Sequence, residues 1–158
     1  MEVAAFFTWC ETSWIGEGIR NSRWLFPVIE CVHLLGLAMI GGSVLVVNLS
    51  LLGLGLGRQS SAQLWRDSSP WLVGSLAVML GTGLLLFTSE AQKLYYHDAF
   101  WVKISALLLS LGFTATVLRR TALADPTRIS MLRSRAVALV SLSLWSLVAA
   151  GGRWIGFS

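Results

Sequence analysis

The sequence predicts an all-α integral membrane protein: a four-helix bundle of transmembrane helices with a short N-terminal interfacial helix. Three observations support this fold class: an apolar composition, four long uncharged segments, and basic residues placed between those segments. Of the 158 residues, 55% are hydrophobic and 13% are charged, and the mean hydropathy is +0.70. A soluble domain usually carries about twice that charged fraction. The surroundings of this chain are therefore largely lipid.

Four segments are long and apolar enough to cross a bilayer, which takes roughly 20 residues for a hydrocarbon core of about 30 Å. Residues 31–57 and 68–89 contain no Asp, Glu, Lys or Arg, and residues 136–152 are also uncharged. Lys103 alone interrupts the remaining segment. We predict approximate spans at residues 24–56, 70–89, 99–118 and 132–152. A membrane β-barrel is excluded, because its strands are about ten residues long with alternating polarity.

The residues before the first span mix aromatic side chains with glutamates. This composition favours a short helix lying in the headgroup layer, and the alternative is a loose tail. Glu2 stands where a secretory signal has its basic region, so we expect this segment to be retained. We expect one transmembrane domain, residues 1–158, because no Pro/Gly/Ser-rich linker divides the chain.

Capping residues near prolines predict where the spans begin. Side chains of Ser, Asn and Asp accept hydrogen bonds from free amide groups at a helix start, and proline is favoured in the first turn. The first span is predicted to follow Asn21 or Ser22. The second span is predicted to start at Ser68 and Ser69, before Pro70, and the fourth at Asp125, before Pro126.

The net charge of +4 reflects basic residues at the ends of the spans, which indicates topology rather than a nucleic-acid partner. The connection between the third and fourth spans carries five arginines and one acid: Arg119, Arg120, Arg128, Arg133, Arg135 and Asp125. The first connection carries Arg58 and Arg66 against Asp67. Both connections are expected to be cytoplasmic. We therefore predict a multi-pass protein of the bacterial inner membrane with both termini outside.

Ionisable residues within or beside the spans form the candidate site. Such groups are costly in a membrane and usually face a bundle interior or a functional site. The candidate cofactor-binding residues are Glu30, His33, Glu90, Lys103 and Arg153. Glu30 and His33 are three residues apart and share a helical face, so they are also the candidate metal ligands. This pattern is compatible with haem b, a copper ion or a quinone-like ligand.

Other interpretations of the same residues remain open. Glu30 or Glu90 could pair with Lys103 or Arg153, and His33 could form an interhelical hydrogen bond, so that these groups only hold the helices together. Asn48 fits the same structural role. A di-iron centre is excluded, because it needs a second Glu-x-x-His motif.

A haem held by two histidines needs both of them at matching depth. His33 lies nine residues inside Trp24, about 13 Å along a helix, whereas His97 precedes the third span. These two histidines therefore do not match. A haem bound by His33 and another ligand, or shared between subunits, remains open.

Three segments resemble a family of small bacterial four-span membrane proteins of unknown function, which is loosely similar to the copper-resistance D membrane proteins and to b-type cytochrome bundles. The segments are RWLFPVIECVHLLGLAMIGGS, TGLLLFTSEAQKLYYHDAFWVKISALLL and GGRWIGFS. The resemblance implies that ten residues belong to the family pattern: Trp24, Pro27, Glu30, His33, Thr82, Gly83, Glu90, Phe100, Lys103 and Arg153. The resemblance also implies a further histidine, which many members carry near the inner end of the third span. This chain departs from that pattern, because it has Val117, Leu118 and Arg119 there.

The leading hypothesis is a redox- or metal-associated subunit that binds its ligand in the outer leaflet. Its partners would be the lipid bilayer and a redox partner or other membrane complex subunits, and a homo-oligomer fits equally. We do not expect the chain to be an enzyme on its own. The alternative hypothesis is a non-catalytic assembly or accessory protein whose buried charges are structural.

Overall fold

The computed structural model describes residues 2–54, 59–125 and 129–155, with residues 2–4 as backbone only. Within these residues the chain is helical and forms no strand. The helices are α1 Glu2–Glu11, α2 Trp14–Asn21, α3 Leu25–Leu51, α4 Ser61–Ser89, α5 Ala91–Tyr95, α6 Asp98–Phe113, a π-helical turn Thr114–Leu118, α7 Arg119–Leu123 and α8 Met131–Ile155.

Four helices of the described chain are long and apolar enough to cross a membrane: Leu25–Leu51, Ser61–Ser89, Asp98–Leu123 and Met131–Ile155. The third is continuous through α6, the π-helical turn and α7. The predicted all-α four-helix bundle with a short N-terminal helix is confirmed. The chain is a multi-pass membrane protein, and its solvent is the lipid bilayer.

The bundle consists of two antiparallel helix pairs, α3 with α4 and α6 with α8, which are joined where α3 packs on α8. Gly36 allows α3 to approach α4 closely, because a Cβ atom there would lie 3.4 Å from the Ser75 carbonyl oxygen. The central core between the pairs contains Ile40, Val44, Met79, Ala106, Leu107, Trp145 and Val148. Large apolar side chains on the outer faces, such as Leu84, Leu108 and Leu139, are exposed and face lipid.

The structure confirms one predicted helix start and corrects another. Ser22 accepts hydrogen bonds from the amides of Trp24 and Leu25, as predicted. The second span begins earlier than predicted, after Ser60, whose side chain accepts from the Gln63 amide. Pro70 therefore lies inside this helix.

An internal proline leaves the carbonyl of the residue four positions earlier without its usual amide donor. For Pro70 that residue is Arg66, and the Ser69 hydroxyl donates to the Arg66 carbonyl at 3.3 Å. Ser69 thus supports the helix through the proline instead of starting it, which is why the predicted start was wrong.

The fourth span begins at Met131, where Ser130 accepts a hydrogen bond from the Arg133 amide at 3.3 Å. The predicted start at Asp125 and Pro126 fails because the described helix begins beyond it, and Pro126 itself lies outside the described residues. The predicted end of the first span, residue 56, also lies outside them. In the described part α3 ends at Leu51.

We call the two ends of the bundle the cap end, where α3 begins and α8 finishes, and the arginine end, which contains residues 59–66, 119–125 and 129–135. Helices α1 and α2 pack over the cap end. Glu11 joins them to the bundle, because its carboxylate pairs with Arg20 at 3.2 Å and accepts from the Gln92 amide at 2.7 Å. Phe7 packs on Phe87, with ring centroids 5.2 Å apart.

Candidate functional site

His33 lies inside the bundle near the cap end and is 9% exposed. It is eight residues beyond Leu25, about 12 Å along α3 at 1.5 Å per residue. Its imidazole faces α4, where Gly83 makes room for it, because a Cβ atom at Gly83 would lie 3.2 Å from His33 Cε1. The ring therefore occupies space that a larger residue at position 83 would fill.

Thr82 determines which nitrogen of His33 carries the proton. His33 Nδ1 lies 3.0 Å from Thr82 Oγ1. The Thr82 hydroxyl has a single proton, and its nearest acceptor is the Val78 carbonyl at 2.7 Å, with the Met79 carbonyl at 3.3 Å. The hydroxyl therefore accepts from the ring, so that Nδ1 is the donor and Nε2 carries a lone pair.

The second ring nitrogen, Nε2, differs from Nδ1 in its partners. Among the described residues no side chain hydrogen-bonds to His33 Nε2, although the Met79 backbone also approaches the ring. A histidine that ligates through one nitrogen usually donates from the other to a fixed acceptor, which sets the tautomer and the ring orientation. Thr82 supplies such an acceptor.

Lys103 is a half-buried polar group of α6 near the cap end. Its stem crosses α8 at two glycines, because a Cβ atom at Gly151 would lie 3.2 Å from Lys103 Cβ, and one at Gly152 would lie 3.6 Å from Nζ. His33 lies between α3 and α4, and Lys103 lies between α6 and α8. We call the part of the bundle interior near the cap end that contains these two side chains the His33–Lys103 site.

The ion pair expected between Lys103 and Glu30 or Glu90 is not formed. Within the described ranges the ion pair that forms is Glu11–Arg20. Glu30 is exposed on the outside of α3, one turn from the buried His33, so its carboxylate faces away from the bundle. Glu90 is half-buried at the junction of α4 and α5.

The remaining candidate, Arg153, is exposed in the last turn of α8. His97 caps the start of α6, where its Nδ1 accepts from the Ala99 amide at 3.3 Å. This nitrogen is therefore engaged at the rim of the bundle, far from the depth of His33. No group of three or more His, Cys, Asp or Glu side chains that could hold a metal ion occurs among the described residues.

A family model described as a family of unknown function, DUF6644, matches residues 6–158. The chain belongs to this family. No curated protein and no solved structure matches it. The resemblance to a small membrane family of unknown function is thereby confirmed. The DUF6644 family has no established activity from which to assign a role, so the role of the His33–Lys103 site must be inferred from its geometry.

Sequence reasoning found His33 and Lys103 in this DUF6644 protein because each interrupts an apolar span. It reached Thr82 only through the resemblance, since a threonine in a span carries no polarity signal of its own. It missed the Glu11–Arg20 pair, whose two residues stand in separate short helices. It also missed the hydrogen bond that Trp145 of α8 donates to Thr114 of the π-helical turn.

Proposed function

We propose that this protein is a redox-associated membrane subunit that holds a quinone-like ligand in the His33–Lys103 site. The observation that carries the proposal is a buried histidine whose Nδ1 lies 3.0 Å from Thr82 Oγ1 and whose Nε2 has no side-chain hydrogen bond within the described residues. A lone pair held in this way accepts a hydrogen bond from a hydroxyl group. A quinol hydroxyl is such a donor, and its apolar ring and tail suit the surrounding lipid.

Lys103 complements His33, because an ammonium group donates and cannot accept hydrogen bonds. It is half-buried and forms no ion pair with another described residue. A carbonyl oxygen of a quinone would satisfy this donor. One donor and one acceptor together suit a ligand whose oxygens alternate between carbonyl and hydroxyl forms.

The geometry supports haem b and copper less well. Copper bound by His33 and Glu30 would need the Glu30 carboxylate inside the bundle, and it is exposed. A haem with two axial histidines would need His97 at the depth of His33, and His97 caps α6. The donor set of one imidazole and one ammonium therefore favours an organic ligand with oxygen atoms.

Electron transfer needs a partner under this proposal. The residues of the site bind and orient the ligand through a hydrogen bond from a quinol hydroxyl to His33 Nε2 and one from Lys103 to a quinone carbonyl. The electrons would leave to a redox-active subunit of the same membrane complex. This division of roles, with ligand binding here and electron transfer in another subunit, fits a subunit that does not act as an enzyme on its own.

For the location of the chain, the arginine asymmetry supports a bacterial inner membrane with the arginine end in the cytoplasm. The described helices α1 and α8 both reach the cap end, which supports a common side of the membrane for the two termini. We expect a periplasm-specific reporter fused after Ser158 to be active and a cytoplasm-specific one to be inactive. The reverse pattern would contradict the orientation and would place the site in the other leaflet.

The binding proposal is tested with the full chain in lipid nanodiscs and decylubiquinone as the probe. Binding to the folded state stabilises it, by about 2.7 kcal/mol at a ligand concentration of 100 times Kd. We expect decylubiquinone to raise the thermal midpoint of the wild type and of His97→Gln, and to leave that of His33→Gln unchanged.

The alternative hypothesis, an accessory protein with structural polar residues, predicts a different outcome. His33→Gln would then lower the thermal midpoint, and decylubiquinone would change none of the three proteins. An absorption spectrum of the purified protein separates the remaining ligands, because a Soret band would replace the quinone proposal with haem. Stoichiometric copper by metal analysis would replace it with a copper site.

A further inference from the structure

A second polar cluster lies midway along the bundle, on one face of α8. Ser141 hydrogen-bonds to Asn48 of α3 at 3.1 Å, and one turn further along, Trp145 Nε1 donates to Thr114 Oγ1 at 3.1 Å. Thr114 begins the π-helical turn of the third span. We call these four residues the polar layer. They separate the central core from the apolar core at the arginine end, which contains Val47, Leu51, Leu118, Ala122, Val137 and Ala138.

The orientation of the Asn48 amide is determined by its partners. Nδ2 lies 2.8 Å from the Val44 carbonyl, which can only accept, so this atom must be the nitrogen. The oxygen, Oδ1, therefore faces the other way. Asn48 is 0% exposed, and its Oδ1 is a buried polar atom that has no hydrogen-bond partner in the described part of the chain.

The layer also contains hydroxyl protons beside this acceptor. Ser141 Oγ accepts from Asn48 Nδ2, and Thr114 Oγ1 accepts from Trp145, so each hydroxyl has its own proton left to donate. Ser141 is 1% exposed and Thr114 is 4% exposed, so bulk solvent cannot receive these protons. An acceptor and two donors without mutual hydrogen bonds thus share one layer that bulk solvent does not reach.

We propose that the polar layer is a binding site for one ordered water molecule, which donates to Asn48 Oδ1 and accepts from Ser141 Oγ. Buried waters typically make about three hydrogen bonds to polar groups that the protein leaves unsatisfied. The Thr114 hydroxyl provides the third partner. This site is independent of the quinone proposal, since it lies nearer the arginine end and shares no residue with the His33–Lys103 site.

Water fits the layer better than a metal cation. The three groups around the site are neutral, and the layer contains no carboxylate to balance a charge. Two of the groups are donors with protons to place, and a cation offers no acceptor for them. A water molecule satisfies both the donors and the acceptor.

The test is water-edited solid-state NMR on the full chain in lipid, labelled with ¹⁵N-asparagine. The sequence contains two asparagines, Asn48 and Asn21, and Asn21 is exposed at the end of α2, so it provides the positive control. We expect magnetisation transfer from water to both side-chain amides in the wild type. In Ser141→Val, whose branched side chain would fill the water position, we expect the transfer to Asn48 to be lost and that to Asn21 to persist.

Two outcomes overturn the proposal. The first is an Asn48 amide without water transfer in a wild-type spectrum that shows transfer to Asn21, which would mean that the layer is dry. The second is a shift of the Asn48 signal when sodium is replaced by N-methylglucamine at equal ionic strength, which would assign the site to a cation. The wild-type measurement decides the question even where Ser141→Val does not fold.

Discussion

The polar layer and the His33–Lys103 site lie in the same apolar bundle and are built differently. In the polar layer, side chains from three helical segments bond to one another through Asn48–Ser141 and Trp145–Thr114. In the His33–Lys103 site, His33 bonds to Thr82 alone among the described side chains, and Lys103 forms no ion pair there.

This difference distinguishes a polar group that holds helices together from one that binds a ligand. Inside a membrane a polar group must find its partners within the bundle or in a bound molecule, because lipid offers none. Most of the polar atoms in the polar layer are hydrogen-bonded to other residues of the layer. The His33–Lys103 site presents one acceptor and one donor whose partners must come from elsewhere.

The largest expected effect is on ligand binding at Lys103. Lys103→Met keeps a long apolar stem against Gly151 and removes the ammonium group. A hydrogen bond to a charged group contributes about 1.5–3 kcal/mol. We therefore expect decylubiquinone affinity to fall by roughly 10- to 100-fold, without a lower thermal midpoint of the ligand-free protein.

Lys93→Met is the matched control for this prediction. Lys93 is the other lysine of the chain and is exposed on the short helix α5, so its loss should leave affinity unchanged. A Lys103→Met protein that binds as tightly as the wild type, or that unfolds more readily without ligand, would show that Lys103 has a structural role.

The polar layer should show a smaller effect, on stability alone. Hydrogen bonds between membrane helices contribute about 0.6 kcal/mol on average and up to about 1.7 kcal/mol in double-mutant cycles. We expect a coupling in this range from the cycle of Asn48→Ala and Ser141→Ala, measured by reversible unfolding in detergent. Decylubiquinone affinity should stay within about twofold of the wild type. Purely additive losses of unfolding free energy would show that Asn48 and Ser141 are not coupled. A large loss of decylubiquinone affinity would show that the polar layer also contributes to ligand binding.

The smallest effect is expected at Gly83, which makes room for the imidazole. A Cβ atom there lies 3.2 Å from His33 Cε1, so Gly83→Ala must displace the ring slightly. We expect a decrease in affinity of roughly two- to fivefold, which is below about 1 kcal/mol. Gly81→Ala is the control, because a Cβ atom at Gly81 meets open space. Equal affinities for the two variants would show that the exact ring position does not matter.

The bundle could be predicted from the sequence because the length and polarity of a span are local properties. The apolar segments predict the four helices. His33 and Lys103 can be identified because they are ionisable residues within these segments. Helix starts were harder, because Ser69 before Pro70 looks like a cap, and only the structure shows Ser69 compensating for an internal proline. In the sequence alone, a serine beside a proline is compatible with a helix start and with a proline inside a helix.

The relation between candidate residues could not be predicted, because it depends on how each helix is rotated in the bundle. Glu30 and His33 are one turn apart on neighbouring positions of α3, and the rotation of this helix in the bundle leaves Glu30 exposed and His33 buried. The partner of His33 is Thr82, 49 positions away, and no periodicity in the sequence connects them. The rotation of α3 against α4 is set by packing at contacts such as Gly36.

The most direct test of the central claim is the protonation state of each ring nitrogen of His33. The chain has two histidines, so ¹⁵N-histidine labelling of His97→Gln leaves His33 as the single histidine signal. We expect a protonated Nδ1 and a bare Nε2, and we expect decylubiquinol to shift Nε2 while the Asn48 amide signals stay in place. A protonated Nε2 without ligand, or a histidine spectrum unchanged by saturating decylubiquinol, would contradict the assignment of this site to ligand binding.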